Sequence, residues 1–251
     1  MKWMISPAKN MKTAAVPGIA PQKPIFLDRA DALRGTLKEY SAWQLEQLLC
    51  VNTNLGMQAF FQYQSYDPQK PGTPAVLTYR GLQYQSMRPE EFTPEDLEFA
   101  QGRRMFILSA LYGLLRPLDG IQPYRLEMQS KLMINGKNLY RYWEDFCYRE
   151  LFRDGEPVVN LASAEYAKMI APWLQPNDRM ITCNFYTYSR GRMKMLPTSA
   201  KTARGQMARY CVKKRVEDPE KLKSFSWEGY RFVPELSNES TFVYYQDSYG
   251  L

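Results

Sequence analysis

The sequence contains no histidine in its 251 residues. That absence excludes Ser-His and Cys-His nucleophiles, histidine general bases and every metal site that depends on imidazole. Cysteine is scarce, and no two cysteines lie close enough in sequence for the Cys-x-x-Cys pair typical of zinc sites. We interpret all four as buried thiols: Cys50, Cys147, Cys183 and Cys211. No paired acidic motif suggests a carboxylate-bound ion either, so the sequence predicts no metal site and no cofactor.

Long apolar runs are also missing. No segment approaches the roughly 20 residues that cross a bilayer, and the N-terminal M-K-W-M-I-S-P is too short for a signal peptide. We therefore expect a cytoplasmic protein without membrane association. Hydrophobic content of 45% with 24% charged residues is typical of a soluble globular protein. We predict a single domain over residues 1–251 of the α/β class, a mixed sheet with surrounding helices, and we favour a monomer.

Acidic residues are absent from one long basic segment. Between Arg179 and Val216 there are ten Lys or Arg residues and no Asp or Glu, in a chain whose net charge is +7. Charge of a single sign attracts phosphates, nucleic acid or acidic partners. The candidate phosphate contacts fall in a predicted hairpin and in the helix after Pro197: Arg190, Arg192, Lys194, Lys201, Arg204 and Arg209. Two alternatives are open, namely that acidic side chains elsewhere neutralise this segment or that the helix presents a solvated basic face.

Small polar residues follow three short apolar runs that read as strands. Trp3 to Ile5 ends at Ser6, Met105 to Leu108 ends at Ser109, and Pro157 to Val159 ends at Asn160, with Ser163 placed to cap a following helix. If the three strands are neighbours in one sheet, their loops converge on one cleft, and Lys9 becomes a candidate anion contact there. Coincidence is the alternative, because Ser and Asn are common after strands.

The loop from Ser109 to Met128 is rich in Gly and Pro, so no regular element is expected to run through it. Arg116 and Arg125 each lie beside a proline in this loop. A restrained guanidinium group usually meets a carboxylate or a phosphate. The loop is therefore either the wall of an anion-binding cleft or a structural ion-pair loop.

Other local signals predict the elements around these loops. Thr93-Pro94-Glu95-Asp96 is a helix start with a capping threonine, and Ser41 caps a second helix. Ala75 to Tyr79 is typical of a strand, and Asn138 to Phe152 of one amphipathic helix. Gly205 lies inside the basic helix, where glycine costs up to about 1 kcal/mol, which predicts close approach of another backbone.

Five motifs occur in order along the chain: I-S-P-A-K from Ile5, L-Y-G-L-L-R-P-L-D from Leu111, Q-P-Y-R-L-E-M from Gln122, N-L-A-S-A-E-Y from Asn160 and K-T-A-R-G from Lys201. Together they resemble the YaaA family of peroxide-stress proteins, nearly end to end.

The resemblance implies a cytoplasmic bacterial protein that limits intracellular iron and so reduces oxidative damage. It also implies a single-domain fold peculiar to the family, a helix-hairpin-helix element and a positively charged cleft that binds duplex or branched DNA. We place the hairpin around Leu111 to Pro117. The matching positions are Ser6, Lys9, Tyr112, Arg116, Tyr124, Arg125, Asn160, Ser163, Glu165, Lys201 and Arg204.

Two mechanisms fit these residues. In the first, cations of the basic segment contact DNA phosphates without reading sequence. In the second, the strand-end loops form an enzyme pocket for a small phosphorylated or nucleobase-like ligand, with Lys9, Arg116, Arg125 and Glu165 around it. The basic segment favours nucleic acid, whereas the specific loop motifs favour a pocket. Without a His or Cys cluster to bind iron, we expect any effect on iron to be indirect.

Overall fold

The structure is a computed structural model that describes residues 1–13, 18–189 and 192–246. The strands are β1 (Lys2–Ile5), β2 (Asn10–Met11), β3 (Thr73–Pro74), β4 (Tyr79–Arg80), β5 (Met105–Ser109), β6 (Gly113–Leu115), β7 (Gly120–Ile121), β8 (Val158–Leu161), β9 (Met180–Ser189), β10 (Arg192–Lys194), β11 (Tyr230–Phe232) and β12 (Thr241–Gln246).

Helices occupy the intervals between the strands. The α-helices are α1 (Leu27–Lys38), α2 (Ala42–Leu49), α3 (Thr53–Gln64), α4 (Ala75–Thr78), α5 (Leu82–Met87), α6 (Pro94–Gln101), α7 (Leu139–Trp143), α8 (Phe146–Phe152), α9 (Ala164–Ala167) and α10 (Pro197–Lys213). Short 3-10 turns lie at Pro89–Glu91, Ala171–Trp173, Pro219–Ser224 and Pro234–Leu236.

An eight-stranded mixed sheet forms the centre of the molecule, in the order β11-β12-β9-β8-β1-β5-β6, with β10 paired to β9. The five central strands from β12 to β5 run parallel, and β6, β10 and β11 are antiparallel to their partners. This arrangement confirms the predicted α/β class with a mixed sheet. It also makes β8, β1 and β5 direct neighbours, so the three predicted strand ends share one edge of the sheet.

The register brings those ends to one level. Ile5 pairs with Leu161 of β8 and with Ile107 of β5. All residues of β1, β5 and β8 are buried, as expected for strands covered by helices on both faces. The apolar runs that predicted these strands are unbroken for the same reason. The hydrophobic core extends along the chain from Met1 to Tyr244.

Helix starts follow the predicted capping signals. The Thr93 hydroxyl accepts a hydrogen bond from the backbone N–H of Asp96, whose carboxylate accepts one from the N–H of Thr93. Ser41 and Gln44 form the same reciprocal pair at α2. Ser163 occupies the cap position of α9 with extended backbone, but its side chain makes no capping hydrogen bond, so the capping role predicted for it is wrong.

Three local predictions are corrected by tertiary contacts. The strand predicted over Ala75 to Tyr79 is the short helix α4, because the N–H groups of Ala75 and Val76 are bound by carbonyl groups of the 117–119 loop. The helix predicted over Asn138 to Phe152 breaks at Glu144, whose φ is 45°. Cys50 is exposed, whereas the other three cysteines are buried.

The predicted helix-hairpin-helix placement is also wrong. The segment from Leu111 to Pro117 contains strand β6, which pairs with β5 and is buried along its length. Gly113 has a φ of 71°, and a Cβ atom there would lie 2.6 Å from the Trp143 ring. Glycine is therefore required at position 113, in the tight β5–β6 turn that packs on the Trp143 indole. Across the described part of the chain, no helix combines the length and apolar character needed to span a bilayer.

Gly205 brings α10 against α5. A Cβ atom at this position would lie 2.2 Å from the backbone oxygen of Gln83 and 2.9 Å from the Cβ of Ser86. The predicted close backbone approach is confirmed. The Ser86 hydroxyl donates to the Thr202 carbonyl at 2.8 Å and closes the contact.

We expect Gly205→Ala to destabilise the fold by about 1–3 kcal/mol, because the added methyl group forces two helix backbones apart. Gly35→Ala is the matched control, since Gly35 lies in α1 with no atom within 4 Å of the added Cβ. That variant should gain up to about 1 kcal/mol from helix propensity. Urea unfolding of both variants measures the difference, and equal stabilities would contradict the packing argument.

Candidate functional site

A cleft of about 250 Å³ opens at the sheet edge where β1 and β8 end. Its walls come from the loop after β1, the β4–α5 segment, the loop before Met128, the start of α9 and helix α10. The structure brings eight of the predicted residues together here: Ser6, Lys9, Tyr124, Arg125, Ser163, Glu165, Lys201 and Arg204.

Hydrogen bonds between strand-end loops fix the floor of the cleft. The backbone N–H of Ser163 donates to the Ser6 hydroxyl oxygen at 2.8 Å, which ties the loop after β8 to the loop after β1. The Tyr84 hydroxyl donates to the Ser6 carbonyl at 2.9 Å, and the Gln83 amide donates to the Leu161 carbonyl at 3.2 Å. Helix α5 is therefore bound to both strand ends.

A buried tyrosine cluster supports the Arg125 wall. The Tyr124 hydroxyl lies 2.8 Å from both the Tyr79 hydroxyl and the Ser109 hydroxyl. Burial raises the pKa of Tyr79 and Tyr124, so both phenols stay neutral and available as hydrogen-bond donors. The Tyr63 hydroxyl donates to the Arg125 carbonyl at 2.6 Å. This wall is held by backbone and phenol contacts that leave the Arg125 side chain uncommitted.

Tyr112 and Asn160 support the site without lining it. The Tyr112 hydroxyl accepts hydrogen bonds from the Gln122 N–H at 3.1 Å and from Arg34 at 3.0 Å, and it thereby holds the segment leading to Tyr124. The Asn160 side chain accepts from the Ala162 N–H at 2.9 Å and shapes the turn after β8. Their predicted place in the pocket wall is therefore corrected to a supporting position.

Four of the five cations that line the cleft have no carboxylate partner among the described residues. Among the described residues, none of Arg80, Arg125, Lys201 and Arg204 forms an ion pair. The Nε atoms of Arg125 and Arg204 are buried without a hydrogen-bond partner. The Arg204 guanidinium donates to the Met195 sulfur at 3.7 Å, and burial lowers its pKa from the usual arginine value. The cleft thus holds positive charge that this part of the protein does not neutralise.

Two carboxylates share the cleft with these cations. Glu127 forms an ion pair with Lys9 at 2.8 Å. One carboxylate oxygen of Glu165 is buried and has no hydrogen-bond partner. Burial raises the pKa of Glu165, and the nearby Glu127 raises it further, against smaller opposing effects of the Gln129 and Met128 amides. The Tyr140 hydroxyl donates to the Glu165 carbonyl at 3.0 Å and holds its backbone.

Arg116 lies outside the cleft. Its guanidinium is 2.8 Å from the fully buried Asp119 carboxylate and donates to the Lys23 carbonyl at 2.9 Å. Burial raises the pKa of Asp119 to about 6, although Arg116 opposes the shift. We expected both loop arginines to form a wall of the cleft, but only Arg125 lines it. For Arg116 the structural ion-pair alternative is correct.

The basic segment divides into paired and unpaired cations. Ion pairs neutralise Arg209 through Glu91 at 2.6 Å, Lys213 and Arg215 through Asp96 at 2.5 and 3.1 Å, and Arg179 through Glu220 at 3.2 Å. Arg209 also donates to the Met87 carbonyl at 3.1 Å and so joins α10 to the end of α5. With these partners its side chain is not available to bind an anion. Neutralisation by acidic side chains, the alternative interpretation, is correct for these four cations.

Arg192 and Lys194 lie exposed on β10, which pairs with β9 as the predicted hairpin requires. Arg190 lies outside the described residues. Arg192, Lys194 and Lys201 are therefore the exposed cations of the segment that remain candidates for contact with phosphates.

Several residues that line the cleft did not emerge from the sequence: Arg80, Gln83, Tyr84, Glu127 and Tyr166. Glu127 and Tyr166 lie within the motifs Q-P-Y-R-L-E-M and N-L-A-S-A-E-Y, so the signal was present but was not assigned to them. Arg80 and Gln83 carry no such local signal. Among the described residues, no group of three or more Cys, Asp or Glu side chains is arranged to hold a metal ion.

Comparison with known proteins identifies the family. The family described as "Peroxide stress protein YaaA" matches residues 1–236. The chain is 40% identical over 245 residues to a UPF0246 protein of Ligilactobacillus salivarius, an alignment that covers 97% of this chain and 99% of the relative. It is 41% identical over 248 residues to one of Limosilactobacillus fermentum, with 98% and 100% covered. The chain belongs to the YaaA family of peroxide stress proteins.

Proposed function

We propose that this peroxide stress protein binds DNA through a positively charged surface that comprises the cleft and the exposed β10 strand, and that it thereby helps to limit oxidative damage. The observation that carries the proposal is the set of four cleft cations without a carboxylate partner, Arg80, Arg125, Lys201 and Arg204. Elsewhere the fold pairs partly buried arginines with carboxylates, as it does for Arg104 and Arg116, or stacks them on aromatic rings, as it does for Arg29. Unpaired guanidinium groups at half-buried positions call for an external anion.

Exposed cations on β10 extend the positively charged surface beyond the cleft. Arg192 and Lys194 alternate with Met193 on a short strand whose residues are all exposed. Contacts from such side chains to a phosphate backbone give binding that depends on salt and not on sequence. The proposed partner is therefore duplex or branched DNA, recognised by a monomer in the cytoplasm.

An effect on iron enters this proposal as an indirect one. The family resemblance implies limitation of intracellular iron, but the chain has no histidine, and three of its four cysteines are buried with raised pKa. Protonated thiols in a core are poor ligands. Stoichiometric, high-affinity ferrous binding by the purified protein would contradict the indirect route.

A second candidate function is an enzyme acting on a small phosphorylated or nucleobase-like ligand. Glu165 favours it, because a half-buried carboxylate with a raised pKa inside a cationic cleft is typical of sites that handle protons. Positions at the carboxyl ends of parallel strands are also the usual place for ligands in α/β sheets. A protein that contacts only the DNA backbone would not need that carboxylate in its binding site.

The DNA proposal predicts a change in salt dependence. In Arg192→Ala plus Lys194→Ala, the slope of log Kd against log salt for a duplex should fall by nearly one for each lost contact, about two in all. Fluorescence anisotropy over a salt series measures the slope.

Lys131→Ala plus Arg231→Ala removes the same charge from exposed positions that neither line the cleft nor lie on β10, and it should leave the slope within about 0.3 of the unmodified protein. If the two double variants behave alike, the β10 strand is a solvated basic face and plays no part in DNA binding.

Variants of the two loop arginines should differ in their free energy of unfolding. Arg125→Met removes a cation without an ion pair, so we expect the free energy of unfolding to change by less than about 1 kcal/mol. Arg116→Met leaves the buried Asp119 carboxylate without its partner and should cost about 3 kcal/mol. Denaturant unfolding at neutral pH compares them. A large loss in Arg125→Met would mean that this side chain has a structural role.

A further inference from the structure

Among the described residues that line the cleft, two kinds of buried polar atom lack a hydrogen-bond partner. Donors are represented by the buried Nε atoms of Arg125 and Arg204, and an acceptor by one carboxylate oxygen of Glu165. A simple anion would satisfy the donors but leave the Glu165 oxygen unpaired, with a like charge added nearby. A ligand that satisfies the whole cleft must therefore carry an anion at one end and an N–H or O–H donor at the other.

The size of the cleft limits that ligand to a small unit. About 250 Å³ is near the lower end of small-molecule sites, which begin at about 300 Å³. A double helix, whose major groove alone is about 12 Å wide, cannot enter such a space. DNA held along the rim can therefore reach the floor of the cleft only with a single nucleotide.

The walls suit a flat, partly apolar group beside a phosphate. The buried rings of Tyr84 and Tyr166 line the cleft together with Leu126 and Pro7. Arginine forks match phosphate oxygens, whereas carboxylates accept hydrogen bonds from the amino and imino groups of bases. A sulfate or a free phosphate would make no use of these apolar walls or of Glu165.

We propose that the cleft binds one nucleoside monophosphate unit, with the phosphate on Arg125 and Arg204 and an N–H of the base on Glu165. The inference rests on the anion-binding cleft of the proposed function and adds the class of ligand. One chemistry has two sources here: a free mononucleotide, or a nucleotide that leaves the stack of a bound DNA strand. Neither source requires a reaction to follow.

Free mononucleotides provide the first test. Calorimetric titration of the full chain with the four deoxynucleoside monophosphates should give at least one that binds about tenfold more tightly than deoxyribose 5-phosphate or inorganic phosphate. Glu165→Gln should weaken the binding of that nucleotide about tenfold and change the affinity for inorganic phosphate by less than about twofold. Glu239→Gln, at an exposed position, is the matched control and should match the unmodified protein.

A duplex containing 2-aminopurine provides the second test. Fluorescence of this base should rise on binding if the nucleotide leaves the stack, and Glu165→Gln should reduce the rise while lowering the affinity for the duplex by at most the roughly tenfold expected for the free nucleotide. Arg125→Lys keeps the charge but loses the fork, so it should weaken nucleotide and phosphate alike. These variants leave β10 intact, which separates this test from that of DNA binding along the rim.

The outcomes are distinct. A Glu165-dependent signal with free nucleotides alone identifies a small-molecule site, and one with the duplex alone identifies a pocket for an unstacked nucleotide; either supports the inference. Equal affinities for nucleotide, deoxyribose 5-phosphate and phosphate would overturn it and leave an anion site only. Absence of a Glu165-dependent signal in both tests would overturn it as well, whatever the salt dependence of DNA binding.

Discussion

The parallel pairing of β1 between β8 and β5 is the constraint on which the site depends. It sets Ser6 and the loop after β8 at one level, and the hydrogen bond from Ser163 to Ser6 then joins the two loops. Helix α5 binds both strand ends, and α10 reaches α5 only because Gly205 has no side chain. Lys201 and Arg204 arrive at the cleft through that contact. A change in strand order would separate all of these groups.

Unpaired charge in the cleft lowers the stability of the fold and is also the property that could bind an anion. A guanidinium that loses water without gaining a carboxylate raises the free energy of the folded state. The same fold places Arg116, Arg209 and Lys213 beside carboxylates, so acidic partners are within its reach. Among the described residues, neither Arg125 nor Arg204 forms an ion pair although Glu127 and Glu165 share the cleft, so their unpaired state follows from the geometry of the cleft and not from the chain's composition. Binding of an anion would recover the desolvation energy that folding leaves uncompensated.

The strands β1, β5 and β8, the helix caps at Ser41 and Thr93 and the close approach at Gly205 were predictable because their signals are local. Convergence of the strand ends was predictable only as a condition, since strand order depends on contacts between residues about 100 to 160 positions apart. Arg116 and Arg125 look alike beside their prolines, yet Asp119 three residues after Arg116 was an available sign of an ion pair. Arg209 gave no such sign, because its partner Glu91 lies far away in the sequence.

Peroxide stress places its own demand on such a site. Methionine and cysteine are the side chains that peroxide oxidises most readily, and thiols react as thiolates. Neither residue is among the described side chains that line the cleft. Cys147, Cys183 and Cys211 are buried, and burial raises the pKa of each thiol, which keeps them protonated and unreactive. The polar side chains that line the cleft carry guanidinium, ammonium, carboxylate, amide, hydroxyl and phenol groups, whose charges and hydrogen bonds peroxide leaves intact. The Met195 sulfur that contacts Arg204 is an oxidisable group beside them.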